Sequence, residues 1–135
     1  MSATARWRVL YDEGCGFCRW CVGMLLGLDR NHALRPVAIG SAEGGMLLAD
    51  LDEEARWASW HLIDPDGRRT SGGAAVAPLL ELLPGGRGAA ALARALPRPV
   101  VDGGYRLVVR HRALVGGPIG RRARARADRR IAQRS

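Results

Sequence analysis

The pattern of apolar and polar positions in the first third of the chain predicts a strand, a helix and a second strand. The run Trp7–Tyr11 is rich in residues that favour strands. Over residues 17–28, apolar side chains cover most of the circumference of a helix, so we expect this helix to be largely buried. Residues 34–39 predict a second strand, and Pro36, which lacks an amide N–H, favours an edge or irregular position for it.

Turn residues mark a hairpin in the middle of the chain. Residues 64–67 read Asp-Pro-Asp-Gly between two short runs, 59–63 and 68–71. Proline presets the backbone for a turn and glycine accepts a positive φ, so this segment predicts a β-hairpin. The acidic stretch 50–54, which precedes it, suits a short helix on the surface.

Helical spacing dominates the sequence beyond the hairpin. Apolar residues recur at helical spacing over 76–83 and predict a helix that Pro78 kinks or delays. Residues 89–95 and 102–112 are two further helical candidates, and Asp102 is the expected N-cap of the second. The predicted order β-α-β-α-β-β-α indicates an α/β fold, with a small mixed sheet and helices packed against it.

Length and composition fit one domain of this kind. The chain has 135 residues, of which 47% are hydrophobic, and this is enough for one core. The longest apolar run near its start, 22–28, is too short to cross a bilayer, and the first residues lack the apolar segment of a secretory signal. We therefore expect a cytoplasmic protein without stable insertion into a membrane.

The basic residues are all arginine and are concentrated near the C-terminus. Because lysine is absent, a lysine Schiff base and a phosphate-binding lysine loop are excluded. Residues 1–117 hold 14 Arg against 12 acidic residues, whereas 118–135 hold 7 Arg against one Asp. We expect a domain over 5–115 and a flexible Arg-rich tail over 116–135. The tail is either a solvated extension or a weak contact for nucleic acid or an anionic surface.

Three cysteines within seven positions carry most of the functional signal. Such crowding does not fit the disulfide framework of a secreted protein and indicates redox or metal chemistry. Cys15 and Cys18 form a C-x-x-C pair at the first turn of the predicted helix, where unpaired N–H groups and the helix dipole favour a thiolate. The spacing predicts thiol-disulfide exchange, in which Cys15 attacks and Cys18 resolves the mixed disulfide. No bound cofactor is required for this chemistry.

Cys21 allows a second interpretation of the cysteine cluster. Together, Cys15, Cys18 and Cys21 could hold a metal ion, but a fourth ligand would have to come from one of three scattered histidines. Cys21 also falls near the middle of the apolar face of the predicted helix. A buried small side chain is therefore the simpler interpretation of Cys21.

Asp12 lies three residues before Cys15 and has two open roles. It could accept or relay the proton that Cys18 gives up while it resolves the mixed disulfide. Equally, it could form or cap the turn that leads into the helix. The sequence favours neither role over the other.

Other residues with functional side chains receive structural interpretations. We interpret His61 as a residue on the surface of a strand. Trp57 and Trp60 are more typical of a core or a sheet face than of a platform for substrate. Tyr105 is expected to pack the last predicted helix onto the body of the domain.

With these residues in view, the chain resembles the DCC family of predicted thiol-disulfide oxidoreductases, named for an Asp, Cys, Cys signature. The signature reads Tyr-Asp-Glu-Gly-Cys-Gly-Phe-Cys at residues 11–18. The likeness extends through the Leu-Ile-Asp-Pro-Asp-Gly hairpin at 62–67, the Gly-Gly-Ala-Ala-Val helix start at 72–76 and the segment 102–112. It therefore covers most of residues 7–112.

This resemblance implies a thioredoxin-like fold, with about four strands flanked by helices and extra helices at the C-terminal end. It implies Asp12, Cys15 and Cys18 as the characteristic positions, and a substrate thiol or disulfide that belongs to a small molecule such as glutathione or to a protein. The chain departs from the pattern at two places. Glu13 replaces the glycine that commonly follows the Asp, and 54–59 lacks the proline that thioredoxin-like enzymes usually set, as a cis-Pro, before the third strand.

Overall fold

The computed structural model describes residues 6–111 and 120–134, which form one sheet and seven α-helices. The strands are β1 (Trp7–Tyr11), β2 (Leu34–Ala38), β3 (His61–Ile63) and β4 (Arg69–Ser71). The helices are α1 (Gly16–Leu28), α2 (Ala42–Leu47), α3 (Glu53–Ala58), α4 (Val76–Leu82), α5 (Arg87–Ala95), α6 (Arg98–Arg110) and α7 (Arg121–Arg134). A short 3₁₀ helix, Gly72–Ala75, connects β4 to α4. Over these ranges, no helix combines the length and apolar character that a membrane span needs.

The four strands form a mixed sheet with the order β2-β1-β3-β4. β1 and β2 are parallel and are connected through α1, whereas β3 pairs antiparallel with β1 and with β4. This arrangement confirms the predicted thioredoxin-like α/β fold. β2 lies at an edge of the sheet, which accommodates Pro36 as the sequence predicts.

Helices cover both faces of the sheet. Along β1, Val9 and Tyr11 point to one face and Leu10 points to the other, as the alternation of a strand requires. The first face packs against α1, α4 and α7, with buried residues Val9, Tyr11, Val22, Leu26, Leu34, Leu62, Ala75, Leu79, Leu83 and Ile131. The second face packs against α2 and the residues after it, with buried residues Leu10, Val37, Ile39, Leu48 and Ile63.

Two short helices between β2 and β3 differ from the prediction. α2 lies in a stretch for which the sequence predicts no element, and its Gly44 packs against the backbone of Ile39. The helix expected at 50–54 begins instead at Glu53. It starts there because the Asp52 side chain accepts a hydrogen bond from the N–H of Ala55 and caps α3.

α6 begins at Arg98, four residues before the predicted cap. Pro99 stands in its first turn, where the missing N–H of proline is not needed. The prediction of Asp102 as N-cap is therefore wrong, because this residue lies inside the helix. Its side chain faces Gly73, where an added Cβ would lie 2.8 Å from Oδ1 of Asp102. The predicted end of this helix, at residue 112, lies outside the described residues.

The Arg-rich segment forms a docked helix, which differs from the flexible tail that the sequence predicts. α7 packs along α1, and Ala127 and Ile131 are buried. Gly23 permits the close contact, because a Cβ at its position would lie 2.5 Å from Cα of Ala127. The contact relies on small side chains at short range, whereas the prediction looked for large apolar residues, and the flexibility of the segment stays a prediction. Residues 116–119 of the expected tail lie outside the described residues.

A buried ion pair joins the C-terminal ends of α1 and α7. Asp29, directly after α1, is fully buried, and its Oδ2 accepts hydrogen bonds from the N–H of Leu34 at 2.9 Å and from Nη1 of Arg134 at 3.0 Å. Arg134 also donates to the backbone carbonyls of Leu26 and Asp29. Removal of either partner would leave a buried charge without its counter-ion, which makes this pair a strong attachment point for α7.

Candidate active site

Cys15 stands at the N-terminus of α1, where β1 leads into the helix through a short turn. Its side chain forms the N-cap, since Sγ accepts a hydrogen bond from the N–H of Cys18 at 3.4 Å. The N–H of Cys15 donates to the carbonyl of Asp12 at 3.2 Å and closes the turn. The sulfur therefore lies at the positive end of the helix dipole, beside a backbone donor.

Cys18 lies one helical turn beyond Cys15, and the two residues are close. Neither cysteine is in a disulfide, and both residues are half-buried, so neither is sealed inside the core. Sγ of Cys15 lies 3.4 Å from the amide nitrogen of Cys18, so the two cysteines are neighbours at the start of the helix. Cys18 also lines a cavity beside α1.

Asp12 shapes the turn before the cysteines. Its Oδ1 accepts a hydrogen bond from the N–H of Gly14 at 2.9 Å, which is the local contact of a turn-forming aspartate. Asp12 also lines the same cavity as Cys18. The structural role expected for Asp12 is therefore present, and Asp12 borders the same cavity as Cys18.

Glu13 fastens the same turn to the neighbouring strand. The N–H of Gly40, just beyond β2, donates to Oε1 of Glu13 at 2.9 Å and to Oε2 at 3.2 Å. A Cβ at Gly40 would collide with the Glu13 carboxylate, so a glycine is needed at this contact. The glutamate that departs from the family pattern thus gives the turn a second attachment.

A cavity of about 210 Å³ opens beside Cys18, between α1, the α3–β3 connection and α6. It is lined by Val9, Tyr11, Asp12, Phe17, Cys18, Cys21, Val22, Leu25, Trp57, Ala58, Ser59, Trp60, Leu79, Tyr105 and Val108. Five of the seven aromatic residues of the chain are among them. The wall is largely apolar, so the cavity suits an apolar group, with the Cys18 thiol as one of its few reactive neighbours.

Cys21 forms part of the cavity wall. Burial raises the pKa of the Cys21 thiol to about 11, and the nearby Cys15 contributes in the same direction. The Cys21 thiol therefore stays protonated at neutral pH and is a poor nucleophile. This agrees with the interpretation of Cys21 as a small side chain that fills space.

The described residues give the metal interpretation no support. Within 6–111 and 120–134, no group of three or more His, Cys, Asp and Glu side chains is arranged to hold an ion. His61 is buried rather than on the strand surface, which corrects the prediction for it. Its Nε2 donates to the carbonyl of Arg56 at 3.0 Å and its Nδ1 accepts from Oγ of Ser71 at 2.6 Å. Both ring nitrogens are thus engaged in the fold.

Several residues of the cavity wall were not predicted to belong to the site. Trp57 and Trp60 flank the opening from α3 and the connection to β3, and Trp57 keeps 36% of its surface exposed. Tyr105 packs on the body as expected, 3.4 Å from a Cβ added at Gly72, and it lines the cavity together with Val108. Tyr105 and Val108 are three residues apart and therefore lie on one face of α6. This spacing is the sequence signal that could have placed them together.

Comparison with protein families agrees with this geometry. A family described as DCC1-like thiol-disulfide oxidoreductase matches residues 9–118. The chain belongs to this family. As a DCC1-like protein, it is expected to act on thiols or disulfides, and the matched region contains the C-x-x-C turn, α1 and the whole cavity wall. The match ends before α7. No curated protein and no solved structure matches the chain.

Proposed function

We propose that this DCC1-like protein is a dithiol-disulfide oxidoreductase in which Cys15 is the attacking thiol and Cys18 the resolving thiol. The observation that supports it most is the position of Cys15 Sγ at the N-terminus of α1, where it accepts a hydrogen bond from the N–H of Cys18. A backbone donor and the positive end of a helix both favour a negatively charged sulfur. A thiolate is the nucleophile of thiol-disulfide exchange.

The proposed reaction moves two electrons between the protein and its substrate. When the substrate is reduced, the Cys15 thiolate attacks one sulfur of its disulfide, the S–S bond breaks, and one substrate thiolate leaves. Cys18 then loses its proton and attacks Sγ of Cys15. This forms the Cys15–Cys18 disulfide and releases the second substrate thiolate, and each released thiolate takes up a proton. The reverse sequence oxidises two substrate thiols.

Asp12 is proposed to accept the proton of Cys18 in the resolving step. Both side chains line the same cavity, and the hydrogen bond from Gly14 uses only part of the accepting capacity of the carboxylate. A base near the resolving thiol raises the fraction of thiolate at the moment of attack. The same carboxylate therefore combines turn formation with proton transfer.

The cavity is proposed to receive an apolar group next to the reacting sulfur of the substrate. Ser59 and Trp60 occupy the place before β3 where a cis-Pro is usual, and the described residues contain no cis peptide bond. Contact through side chains would then replace backbone pairing with the substrate. The substrate is either a small thiol such as glutathione or a protein segment, and the reduced state of the three cysteines fits a reducing, cytoplasmic location.

Trapping of a mixed disulfide tests this mechanism. Reduced protein is treated with bis(2-hydroxyethyl) disulfide and followed by intact-mass spectrometry. We expect Cys18→Ser to retain one mercaptoethanol on Cys15, whereas the wild type and the matched control Cys21→Ser proceed to an internal disulfide without an adduct. If Cys18→Ser collects no adduct, or if Cys15→Ser reacts as fast as the wild type, the assigned roles of the two thiols are wrong.

A weak contact with nucleic acid is proposed separately for α7. Its exposed arginines are Arg121, Arg122, Arg124, Arg126 and Arg129. Contacts between arginine and phosphate release counter-ions, so such binding weakens steeply as salt rises. We expect the affinity for RNA or DNA to fall as the salt concentration is raised from low to physiological. We also expect binding to disappear when these arginines are replaced by glutamine. Binding that is unaffected by the replacements would assign the contact to another surface.

A further inference from the structure

α1 and α7 run in the same direction, so their N-termini lie at the same end of the molecule. The contacts follow one another in register: Arg124 approaches Gly16, Ala127 approaches Gly23, Arg130 approaches Gly27, and Arg134 binds Asp29. The N-terminus of α1 carries Cys15. The first turns of α7 therefore lie at the end of the fold that holds the attacking thiol.

Arg124 is the side chain of α7 nearest to the C-x-x-C motif in these contacts. Its guanidinium carbon lies 4.0 Å from the position of a Cβ on Gly16, the residue directly after Cys15. Adjacent Cα atoms are about 3.8 Å apart, so the guanidinium lies on the order of 10 Å from the Cys15 thiol. This distance slightly exceeds the Debye length of about 8 Å at physiological salt, so the charge acts on a molecule at Cys15 mainly at lower salt, unless the molecule reaches toward the guanidinium.

The first turns of α7 contain no acidic residue. Arg121, Arg122, Arg124 and Arg126 precede its one acid, Asp128, which lies 3.7 Å from Arg19 of α1. All four arginines are exposed. This end of α7 therefore presents a positive surface to any molecule that approaches Cys15 from that side.

The two acidic residues nearest to Cys15 in the sequence both accept hydrogen bonds from backbone N–H groups. Asp12 accepts a hydrogen bond from the N–H of Gly14, and Glu13 accepts from the N–H of Gly40. The first four arginines of α7 lie on the exposed surface, where an approaching substrate meets them.

We propose that α7 makes the site selective for small disulfides that carry carboxylate groups, with Arg124 as the residue that contacts the substrate anion. The proposal rests on the function assigned to Cys15 and Cys18. The family match ends at residue 118, so this selectivity would be a property of the C-terminal helix of this chain rather than of the matched region. A guanidinium suits the role, since it binds a carboxylate through two parallel hydrogen bonds.

Alkylation with a charged and a neutral reagent tests the effect of Arg124 without any need for exchange activity. In the full chain with Cys18→Ser and Cys21→Ser, Cys15 is alkylated by iodoacetate, an anion, or by neutral iodoacetamide. We expect Arg124→Gln to lower the ratio of the iodoacetate rate constant to the iodoacetamide rate constant roughly twofold at low salt, because a unit charge at this distance in water changes an encounter by about that factor. High salt should remove most of the difference.

The matched control is Arg129→Gln, which removes the same charge from the same helix. Arg129 is exposed and lies two residues beyond Ala127, hence on the side of α7 that faces away from α1. We expect it to leave the ratio nearly unchanged. An unchanged ratio in Arg124→Gln, or an equal fall in Arg129→Gln, would overturn the proposal.

Exchange kinetics then separate this proposal from the proposed function. The reduced protein with all three cysteines is mixed with 3,3′-dithiodipropionate, a dianion, or with neutral bis(2-hydroxyethyl) disulfide. We expect Arg124→Gln to slow the dianion severalfold relative to the neutral disulfide. If Arg124→Gln slows exchange with both disulfides equally, the proposed selectivity is wrong and the proposed oxidoreductase function is unaffected. If neither disulfide reacts with the wild-type protein, the proposed oxidoreductase function is wrong. The alkylation ratio would still decide whether Arg124 attracts anions to Cys15.

Discussion

Replacement of Gly23 by alanine should push α7 away from α1. The added Cβ would lie 2.5 Å from Cα and 3.2 Å from the carbonyl carbon of Ala127, whereas carbon atoms in contact are normally about 3.5–4.0 Å apart. The obstacle is backbone, which cannot rotate out of the way as a flexible side chain would. The two helices must therefore separate by about 1 Å or more along this contact.

The free energy of unfolding of Gly23→Ala should fall by about 2 kcal/mol. Alanine itself favours a helix over glycine by about 1 kcal/mol. Against this gain, the separation exposes Ile131, whose burial is worth about 2 kcal/mol, and it weakens the pair of Arg134 with buried Asp29, where loss of one partner costs about 3–5 kcal/mol. Partial relaxation of the contact keeps the net loss below the sum of these losses.

Urea unfolding together with limited trypsin digestion measures this effect. Gly103→Ala in α6 is the matched control, because nothing lies within 4 Å of its added Cβ and helix propensity alone should stabilise it by about 1 kcal/mol. We expect faster cleavage at the arginines of α7 in Gly23→Ala only. If Gly23→Ala gains stability like the control and its tryptic pattern is unchanged, α7 is not docked and the flexible tail predicted from the sequence is correct.

Three further predictions address buried groups. Cys21→Ala should keep the rate of disulfide exchange within about twofold of the wild type, because the raised pKa of about 11 keeps this thiol out of the reaction; a tenfold fall in the rate would contradict this. Burial lowers the pKa of His61, so the unfolded chain binds a proton more readily than the folded chain, and the free energy of unfolding should fall as pH drops below about 6.5. Urea titrations at pH 7.5 and 5.5 should show a smaller fall for His61→Gln than for the wild type. Asp29→Asn should cost about 3 kcal/mol in the same assay, since Arg134 loses its buried counter-charge, and a loss under 1 kcal/mol would mean that solvent reaches the pair.

Local signals in the sequence were sufficient for the first half of the fold. β1, α1, β2 and the hairpin follow from short-range periodicity and turn residues, and the edge position of β2 follows from Pro36. α6 was misplaced because Asp102 resembles an N-cap, whereas Pro99 marks the true first turn. The preference of aspartate for the N-cap and the preference of proline for the first turn predict different starts, and the helix begins where the proline predicts it.

The C-terminal helix could not be predicted from its own residues. α7 contains seven arginines and one large apolar side chain, Ile131, so its composition is that of a solvated segment. Its docking depends on Gly23, about a hundred residues earlier in the chain, and on a buried carboxylate at Asp29. Neither partner is visible when α7 is considered alone.

The candidate site also has a part that the sequence predicts and a part that it does not. The roles assigned to Cys15 and Cys18 rest on spacing and on a helix start, both of which are local. The cavity beside Cys18 is assembled from α1, the α3–β3 connection and α6, so Trp57 and Tyr105 reach it only through tertiary packing. Their aromatic character predicted burial, but the sequence did not show what they would surround.

The attachment of Arg134 to Asp29 has a practical consequence for handling the protein. An affinity tag fused after residue 135 would begin one residue away from a guanidinium that is only 13% exposed at its side chain. Crowding there would strain this ion pair, which joins the end of α7 to the end of α1. Purification through a tag placed ahead of residue 1 avoids this strain, and redox measurements should be made on material prepared in that way.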